Sequence, residues 1–178
     1  MTRPRITPEG VADFLHGYNI PEKVVLVGIR GYYKDTMGKP GVNDIGIYDD
    51  AIVLIGPNYF QTFNANTDPS KHRPGIATLI PGLHYFKRGN HGISKPGGGY
   101  PAFRPDTPDE SLMVTRDGQV GLSKGIAINI HKGGFNGTSS EGCQTIYPDQ
   151  WMEFQVKAYE LMTNEGQRRI PYVLIESI

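Results

Sequence analysis

Glycine and proline interrupt this sequence so often that long helices cannot account for most of it. The chain has 23 glycines and 14 prolines among its 178 residues, and both residue types end regular elements and form turns. The runs between them are short and rich in valine, isoleucine and aromatic residues, which is typical of β-strands. We therefore expect a strand-and-turn fold in a single domain, residues 1–178, which is large enough to bury a core.

Two helices are predicted. Thr7 can cap a short helix that has Pro8 in its first turn. Pro148 begins a longer helix that extends to about Asn164, and its apolar stripe indicates packing against the core. The stripe consists of Trp151, Phe154, Ala158 and Leu161. The predicted fold class is α+β and mainly β, a mixed sheet or sandwich with a short N-terminal helix and a longer helix after the candidate site.

The strands are predicted from β-prone runs and from the turns that separate them. Pro81-Gly82 predicts the turn of a hairpin within residues 75–87, and Asp117-Gly118 predicts a second hairpin turn. The segment 89–108 is long and rich in glycine and proline, so we expect a loop that could act as a lid. The predicted strands are 23–33, 51–55, 59–64, 112–116 and 171–175.

Composition excludes several classes of protein. The 18 basic and 18 acidic residues give a formal net charge of zero, so a nucleic-acid partner is not expected. One cysteine cannot form an internal disulfide, so the fold does not depend on an oxidising compartment. The longest apolar run, Val24–Ile29, is too short to span a bilayer, and no export signal is visible behind the N-terminal basic residues.

The reactive side chains are concentrated in residues 126–143. Isoleucines at every second position from 126 to 130 alternate with Asn129 and His131, which predicts a half-buried strand with His131 on its polar, open face. A polar, glycine-rich linker then leads to Cys143, the only cysteine. A strand ending in histidine and a strand beginning with cysteine can bring an imidazole within hydrogen-bond reach of a thiol. That pairing is what a nucleophilic cysteine needs.

The order of these residues resembles the catalytic domain of the L,D-transpeptidase (YkuD-like) family, in which a histidine ends a strand and a Ser/Thr-His-Gly-Cys sequence follows. The matching positions are His131, Ser140, Gly142 and Cys143, and the motif covers roughly residues 110–150. The resemblance implies an L,D-transpeptidase type of fold. It also implies that Cys143 attacks a peptide carbonyl while His131 accepts the thiol proton.

Supporting roles follow from the same resemblance. The Lys132 carbonyl would orient the imidazole, and main-chain N–H groups near Gly142 and Cys143 would hold an oxyanion, with Gly133 as a further supporting residue. Neighbouring polar residues are candidates for substrate binding: Ser139, Ser140 and Glu141. The resemblance implies no cofactor and no metal.

The sequence also departs from the family pattern. Glu141 stands where the family has its second histidine, and its charge would raise the pKa of the adjacent thiol. Three arrangements of Glu141 are open: turned away, paired with a cation, or holding a substrate ammonium group such as that of diaminopimelate.

Two other groups of side chains compete with this site. Asp44, Asp49 and Asp50 could bind a cation or form a glycosidase pair, but their spacing does not fit a calcium loop. A turn leading into a buried strand is the favoured interpretation. His84 and His91 could be metal ligands, but the third ligand of a zinc site is missing, so a solvated histidine or one that supports the site is favoured.

The resemblance therefore implies a cysteine enzyme that acts on peptidoglycan stem peptides. Because no export signal is visible, we expect a peptidase with water as the acceptor: a phage endolysin made in the host cytoplasm without a signal peptide and acting in the periplasm or cell wall. Peptidoglycan is the expected partner, and the enzyme is expected to be a monomer that does not insert into membranes. Two alternatives remain open: a cross-linking L,D-transpeptidase, and a non-enzymatic phage structural or wall-binding protein.

Overall fold

The computed structural model describes residues 1–176, and within this range the chain is mainly β with two helices. The α+β, mainly β class is therefore confirmed, as are the short N-terminal and longer C-terminal helices. The elements in chain order are α1 (Pro8–Leu15), β1 (Val25–Arg30), β2 (Asp50–Gly56), β3 (Tyr59–Asn66), β4 (Ala77–Leu79), β5 (Gly82–His91), β6 (Tyr100–Pro105), β7 (Ser111–Arg116), β8 (Ser123–Ile126), β9 (Ile130–Lys132), β10 (Gln144–Ile146), α2 (Pro148–Asn164) and β11 (Arg169–Glu176).

Eight of the strands close into a barrel in the order β1-β11-β5-β6-β9-β10-β3-β2, and the other three form a separate sheet in the order β4-β7-β8. Most neighbours in the barrel are antiparallel, but β1 pairs with β11 and β9 pairs with β10 in parallel. The sheet is thus mixed, as predicted, but it is closed and not a sandwich. The barrel closes because β1 pairs with β11 on one side and with β2 on the other, which joins the two ends of the strand order.

The barrel core is formed by alternate residues of its strands together with one face of α2. The apolar stripe predicted for this helix is buried, with Phe154 and Ala158 fully inaccessible to solvent. Phe154 packs against Phe63 of β3, with ring centroids 5.2 Å apart. Gly28 is needed on the interior of β1, because a Cβ atom at this position would lie 2.1 Å from the Tyr172 hydroxyl oxygen.

The short helix α1 begins as predicted, because the Thr7 hydroxyl accepts a hydrogen bond from the Gly10 N–H at 3.2 Å. Val11 is the buried residue of this helix, and it packs on the outer face of β1 and β2. Helix α1 therefore covers one outer face of the barrel and α2 contributes to its core.

Two strand predictions are wrong. Residues 75–87 do not form a hairpin: β4 pairs with β7 in the small sheet, whereas β5 pairs with β11 and β6 in the barrel. The segment 89–108 is not a long loop, because it contains the end of β5 and all of β6, joined by a turn at 92–99. Gly89 is required within β5, since a Cβ atom there would lie 2.8 Å from the Arg104 side chain.

The stretch 126–131 is also not one strand. Strand β8 ends in the small sheet at Ile126, whose side chain is exposed, and β9 starts in the barrel at Ile130. Ala127 lies between them with φ +54, a left-handed conformation that a β-strand cannot contain. The chain therefore leaves the small sheet and enters the barrel immediately before His131.

Candidate active site

The parallel pairing of β9 with β10 brings the two predicted catalytic residues together. Thr145 lies opposite His131, and Gln144 lies opposite Ile130. The Gln144 N–H donates to the Asn129 carbonyl at 2.8 Å, so Cys143 stands next to Asn129. Because side chains alternate along a strand, the cysteine falls on the face that His131 shares. A rise of about 3.3 Å per residue and a strand spacing of about 4.8 Å place the two Cα atoms about 8 Å apart.

The imidazole of His131 is anchored by the carbonyl of the next residue. Its Nδ1 donates to the Lys132 carbonyl oxygen at 2.7 Å, which is the contact that the family resemblance implied. The Tyr100 hydroxyl donates to the same carbonyl at 3.4 Å and lies 3.3 Å from Nδ1. Because a carbonyl only accepts hydrogen bonds, Nδ1 carries the proton and Nε2 is left as the basic nitrogen.

His131 is buried, with 3% of its surface exposed, and not on an open face as the sequence predicted. The end of β5 and the start of β6 cover it, through His91 and Tyr100. Burial, together with the neighbouring His91, lowers the pKa of His131 to about 3. The imidazole is therefore neutral at physiological pH.

His91 is a site residue whose position could not be predicted from sequence. Its ring stacks on that of His131, with centroids 3.7 Å apart and planes 14° from parallel. The Asn129 side-chain amide donates to His91 Nδ1 at 3.1 Å. His84 is not part of this group: it is buried elsewhere, and its Nε2 donates to the Ile80 carbonyl at 2.8 Å.

The thiol of Cys143 is half-buried and contacts main-chain groups. It accepts a hydrogen bond from the Asn129 N–H at 3.4 Å and donates to the Ala127 carbonyl at 3.6 Å. Within residues 1–176 no hydrogen bond joins this thiol to the His131 imidazole. Burial raises the pKa of the Cys143 thiol to about 11. Both groups of the pair are therefore neutral at rest.

The loop before Cys143 is held by its own polar groups. Ser140 is buried; its hydroxyl donates to the Cys143 carbonyl at 2.7 Å and accepts from the Gly142 N–H at 3.0 Å. The Gly142 N–H is therefore engaged, and so is the Gly133 N–H, which donates to the Ile146 carbonyl at 2.9 Å. Of the main-chain donors that we expected to hold an oxyanion, the Cys143 N–H is left for that role.

Glycine is required at position 142 by the backbone conformation and by a close contact. Its φ is +118, and a Cβ atom at this position would lie 2.5 Å from the Ala77 carbonyl oxygen of β4. Only glycine tolerates both conditions. The small sheet therefore packs directly against the residue that precedes the thiol.

Of the substrate-binding candidates, Ser139 and Glu141 are exposed and Ser140 is not. Glu141 forms an ion pair with Arg73 at 3.1 Å, which is the cation-paired arrangement among the three left open. Both side chains line an open groove of about 390 Å³ that also includes Lys71 and Ile76. Ser139 and Glu141 line this groove, and so does Ser140, whose hydroxyl also holds the cysteine loop.

The rival acidic residues are more buried than a surface turn requires. Asp50 begins β2, and both Asp49 and Asp50 have no exposed surface. The Asp50 carboxylate accepts hydrogen bonds from the Gly31 N–H at 2.5 Å and from the Thr67 N–H and hydroxyl at 2.5 and 2.8 Å. The prediction that a buried strand follows is confirmed, whereas the turn lies at residues 45–47 and not at Asp49 and Asp50.

Comparison of the chain with protein-family models, with curated proteins and with solved structures gives no match. In the part of the chain that the structure describes, no helix is both long enough and apolar enough to cross a membrane. In that same part, no three side chains of histidine, cysteine, aspartate or glutamate come together as metal ligands. The site is therefore defined by its own geometry: a thiol, an anchored imidazole and a stacked second imidazole.

Proposed function

We propose that this chain is a cysteine acyl-transfer enzyme of the L,D-transpeptidase-like type that hydrolyses stem peptides of bacterial peptidoglycan, as a phage endolysin does. Cys143 is the nucleophile and His131 is the base. The observation that carries the proposal is the common face of two paired parallel strands, which holds both Cys143 and an imidazole whose Nδ1 is fixed by a carbonyl. At rest the thiol donates to the Ala127 carbonyl; for acyl transfer it turns towards His131, whose Nε2 is left as the base.

Because the Cys143 thiol and the His131 imidazole are both neutral at rest, the proton is transferred during the attack and not before it. The thiol proton moves to His131 Nε2 as the sulfur–carbon bond forms and the carbonyl electron pair moves to oxygen. When the tetrahedral intermediate collapses, the peptide C–N bond breaks and the imidazolium returns the proton to the leaving amine. The Asn129 N–H, which donates to the sulfur, stabilises the negative charge that develops there.

The second step regenerates the enzyme. Water attacks the thioester carbonyl and gives a proton to His131 Nε2. When the tetrahedral intermediate collapses, the carbon–sulfur bond breaks and the imidazolium gives its proton to the leaving thiolate. We assign the Cys143 N–H to holding the oxyanion in both steps, because the Gly142 and Gly133 N–H groups are engaged elsewhere.

The groove next to the cysteine loop suits a peptide that carries carboxylates. Lys71 and Arg73 line it together with Ser139 and Glu141, and basic side chains pair with the free carboxylates that peptidoglycan stems contain. Glu141 holds Arg73 in place, so we assign it to positioning this cation and not to binding a substrate ammonium group.

Liquid chromatography with mass spectrometry of digested, purified peptidoglycan tests this function. We expect the wild type to release shortened stem peptides, and Cys143→Ala and His131→Gln to release none. His16→Gln, which changes an exposed histidine at the end of α1, is the matched control and should cleave normally.

Three results would contradict the proposal in different ways. New cross-links without shortened stems would indicate a transpeptidase. Binding to peptidoglycan without any cleavage by the wild type would indicate a wall-binding protein. Cleavage that survives in Cys143→Ala would place the reaction at another site.

A further inference from the structure

A second polar cluster lies where the loop 43–49 meets β2 and β3. The Asp44 N–H donates to Asp49 Oδ2 at 2.9 Å, and the Asn43 side-chain amide donates to Asp68 Oδ2 at 2.7 Å. The Asn66 side-chain amide donates to the Asp68 carbonyl. Asp50 pairs with Ala65 across β2 and β3, so Asp49 and Asn66 are the next pair along these chains. The contacts thus form a closed ring.

Three oxygen atoms in this ring lack hydrogen-bond partners. They are Oδ1 of Asn43, Oδ1 of Asp49 and Oδ1 of Asn66, all buried within the part of the chain that the structure describes. Asp49 and Asn66 have no exposed surface at all. Both amide NH₂ groups are used on Asp68, so the amide oxygens face away from it. Three acceptors without a donor are unfavourable in a buried site unless a ligand satisfies them.

The charge around these oxygens is also uncompensated. Arg30 pairs with Asp68 at 3.1 Å, but within residues 1–176 no ion pair forms with Asp44, Asp49 or Asp50. Buried carboxylates need a counter-charge or a full set of donors. The Asp50 carboxylate accepts hydrogen bonds from Gly31 and Thr67 on the other face of the strand. The carboxylate that lacks a full set of donors is therefore that of Asp49, whose Oδ1 has no partner.

We propose that Asn43, Asp49 and Asn66 bind a calcium-sized cation through their Oδ1 atoms. Amide and carboxylate oxygens are the ligands of such hard cations, and water would complete the coordination shell. A transition metal is not expected, because no group of nitrogen, sulfur and carboxylate ligands converges here. The ligands come from separate segments, which is why the spacing within residues 43–50 does not resemble a calcium loop.

The consequence of this site is structural. A cation at this position joins the loop 43–49 to the end of β3, and β3 pairs with β10, the strand that follows Cys143. The proposal is independent of the reaction assigned to the thiol, because it rests on oxygens that the reaction does not use.

Thermal unfolding after treatment with a chelator tests the proposal. Calcium added at about 100 times its dissociation constant should raise the Tm of the wild type by about 5–10 °C. Asp49→Asn removes the charged ligand and Asn43→Ala removes a ligand from a half-buried loop position. Both should abolish the rise in Tm. Asp13→Asn, an exposed carboxylate of α1, is the control and should keep it.

A spectroscopic measurement gives a second readout. Terbium bound beside Asp49 should show luminescence excited through the neighbouring Tyr48, and calcium should displace it. If Asp49→Asn does not fold, Asn43→Ala still decides the question. The proposal is overturned if neither calcium, magnesium nor sodium changes the Tm, which would assign the oxygens to bound water or to a proton on Asp49. An equal shift in every variant would also overturn it.

Discussion

Alkylation of Cys143 with iodoacetamide should show the pH dependence of a thiol that is neutral at rest. Burial raises its pKa from 9.0 to about 11, and alkylation needs the thiolate. The two-unit difference predicts a rate about 100-fold below that of an unshifted thiol at the same pH. Cys143 is the only cysteine in the chain, so the mass of a single adduct reports the reaction without ambiguity.

The slope of the rate against pH is the quantity to measure. Between pH 6 and pH 10 the rate constant should rise about tenfold per pH unit, because each unit multiplies the thiolate fraction by ten. His131→Gln should keep this slope, since a neutral imidazole with a pKa of about 3 does not ionise the thiol. N-acetylcysteine measured in parallel supplies the reference rate.

A plateau at neutral pH would refute this reasoning. If the wild type reacted faster than the reference between pH 5 and pH 8, and lost that plateau in His131→Gln, the resting site would contain a thiolate–imidazolium pair. Slow alkylation alone does not separate an enzyme from a protein with an inert buried thiol, so the identity of the reaction has to be tested with substrate.

Three further predictions concern stability and positioning. Burial lowers the pKa of His131 to about 3, so the stability that this neutral imidazole contributes is complete above pH 6.5 and is lost as the pH falls towards 3. Urea titrations should show a loss of at most about 5 kcal/mol in the free energy of unfolding over this range, and His131→Gln should not show this loss. Gly28→Ala should destabilise the barrel by about 1–3 kcal/mol, measured by chemical unfolding, and Tyr172→Phe should restore part of this by removing the nearest atom. Gly142→Ala should lower kcat about 100-fold in a peptidoglycan assay, because the new Cβ atom displaces the cysteine; an unchanged kcat would show that this contact does not position the thiol.

The elements that sequence predicted well are those set by local chemistry. Thr7 and Pro8 define the start of α1, and Pro148 with the apolar stripe behind it defines α2. These signals act within a few residues, so they can be read without the rest of the fold. The contact between His131 and Lys132 has the same origin, since it joins neighbouring residues.

The elements that it predicted poorly depend on distant partners. Gly89 is predicted in a loop, and it belongs to a strand because it pairs with Ala102 of β6. His91 could not be placed beside His131 without knowing that β5 and β6 form a hairpin and that β6 pairs with β9. The alternation before His131 predicted one strand, but Ala127 turns the chain between two sheets. Pairing between sequence-distant strands decided each case.

The most direct test of the proposed chemistry is the intact mass of the protein quenched with acid during turnover of a peptidoglycan stem peptide. The wild type should carry an added mass equal to the acyl fragment of the substrate, located on Cys143 and released by hydroxylamine, and Cys143→Ala should carry none. Release of shortened peptides without any adduct, at a rate that Cys143→Ala retains, would contradict the assignment of Cys143 as the nucleophile.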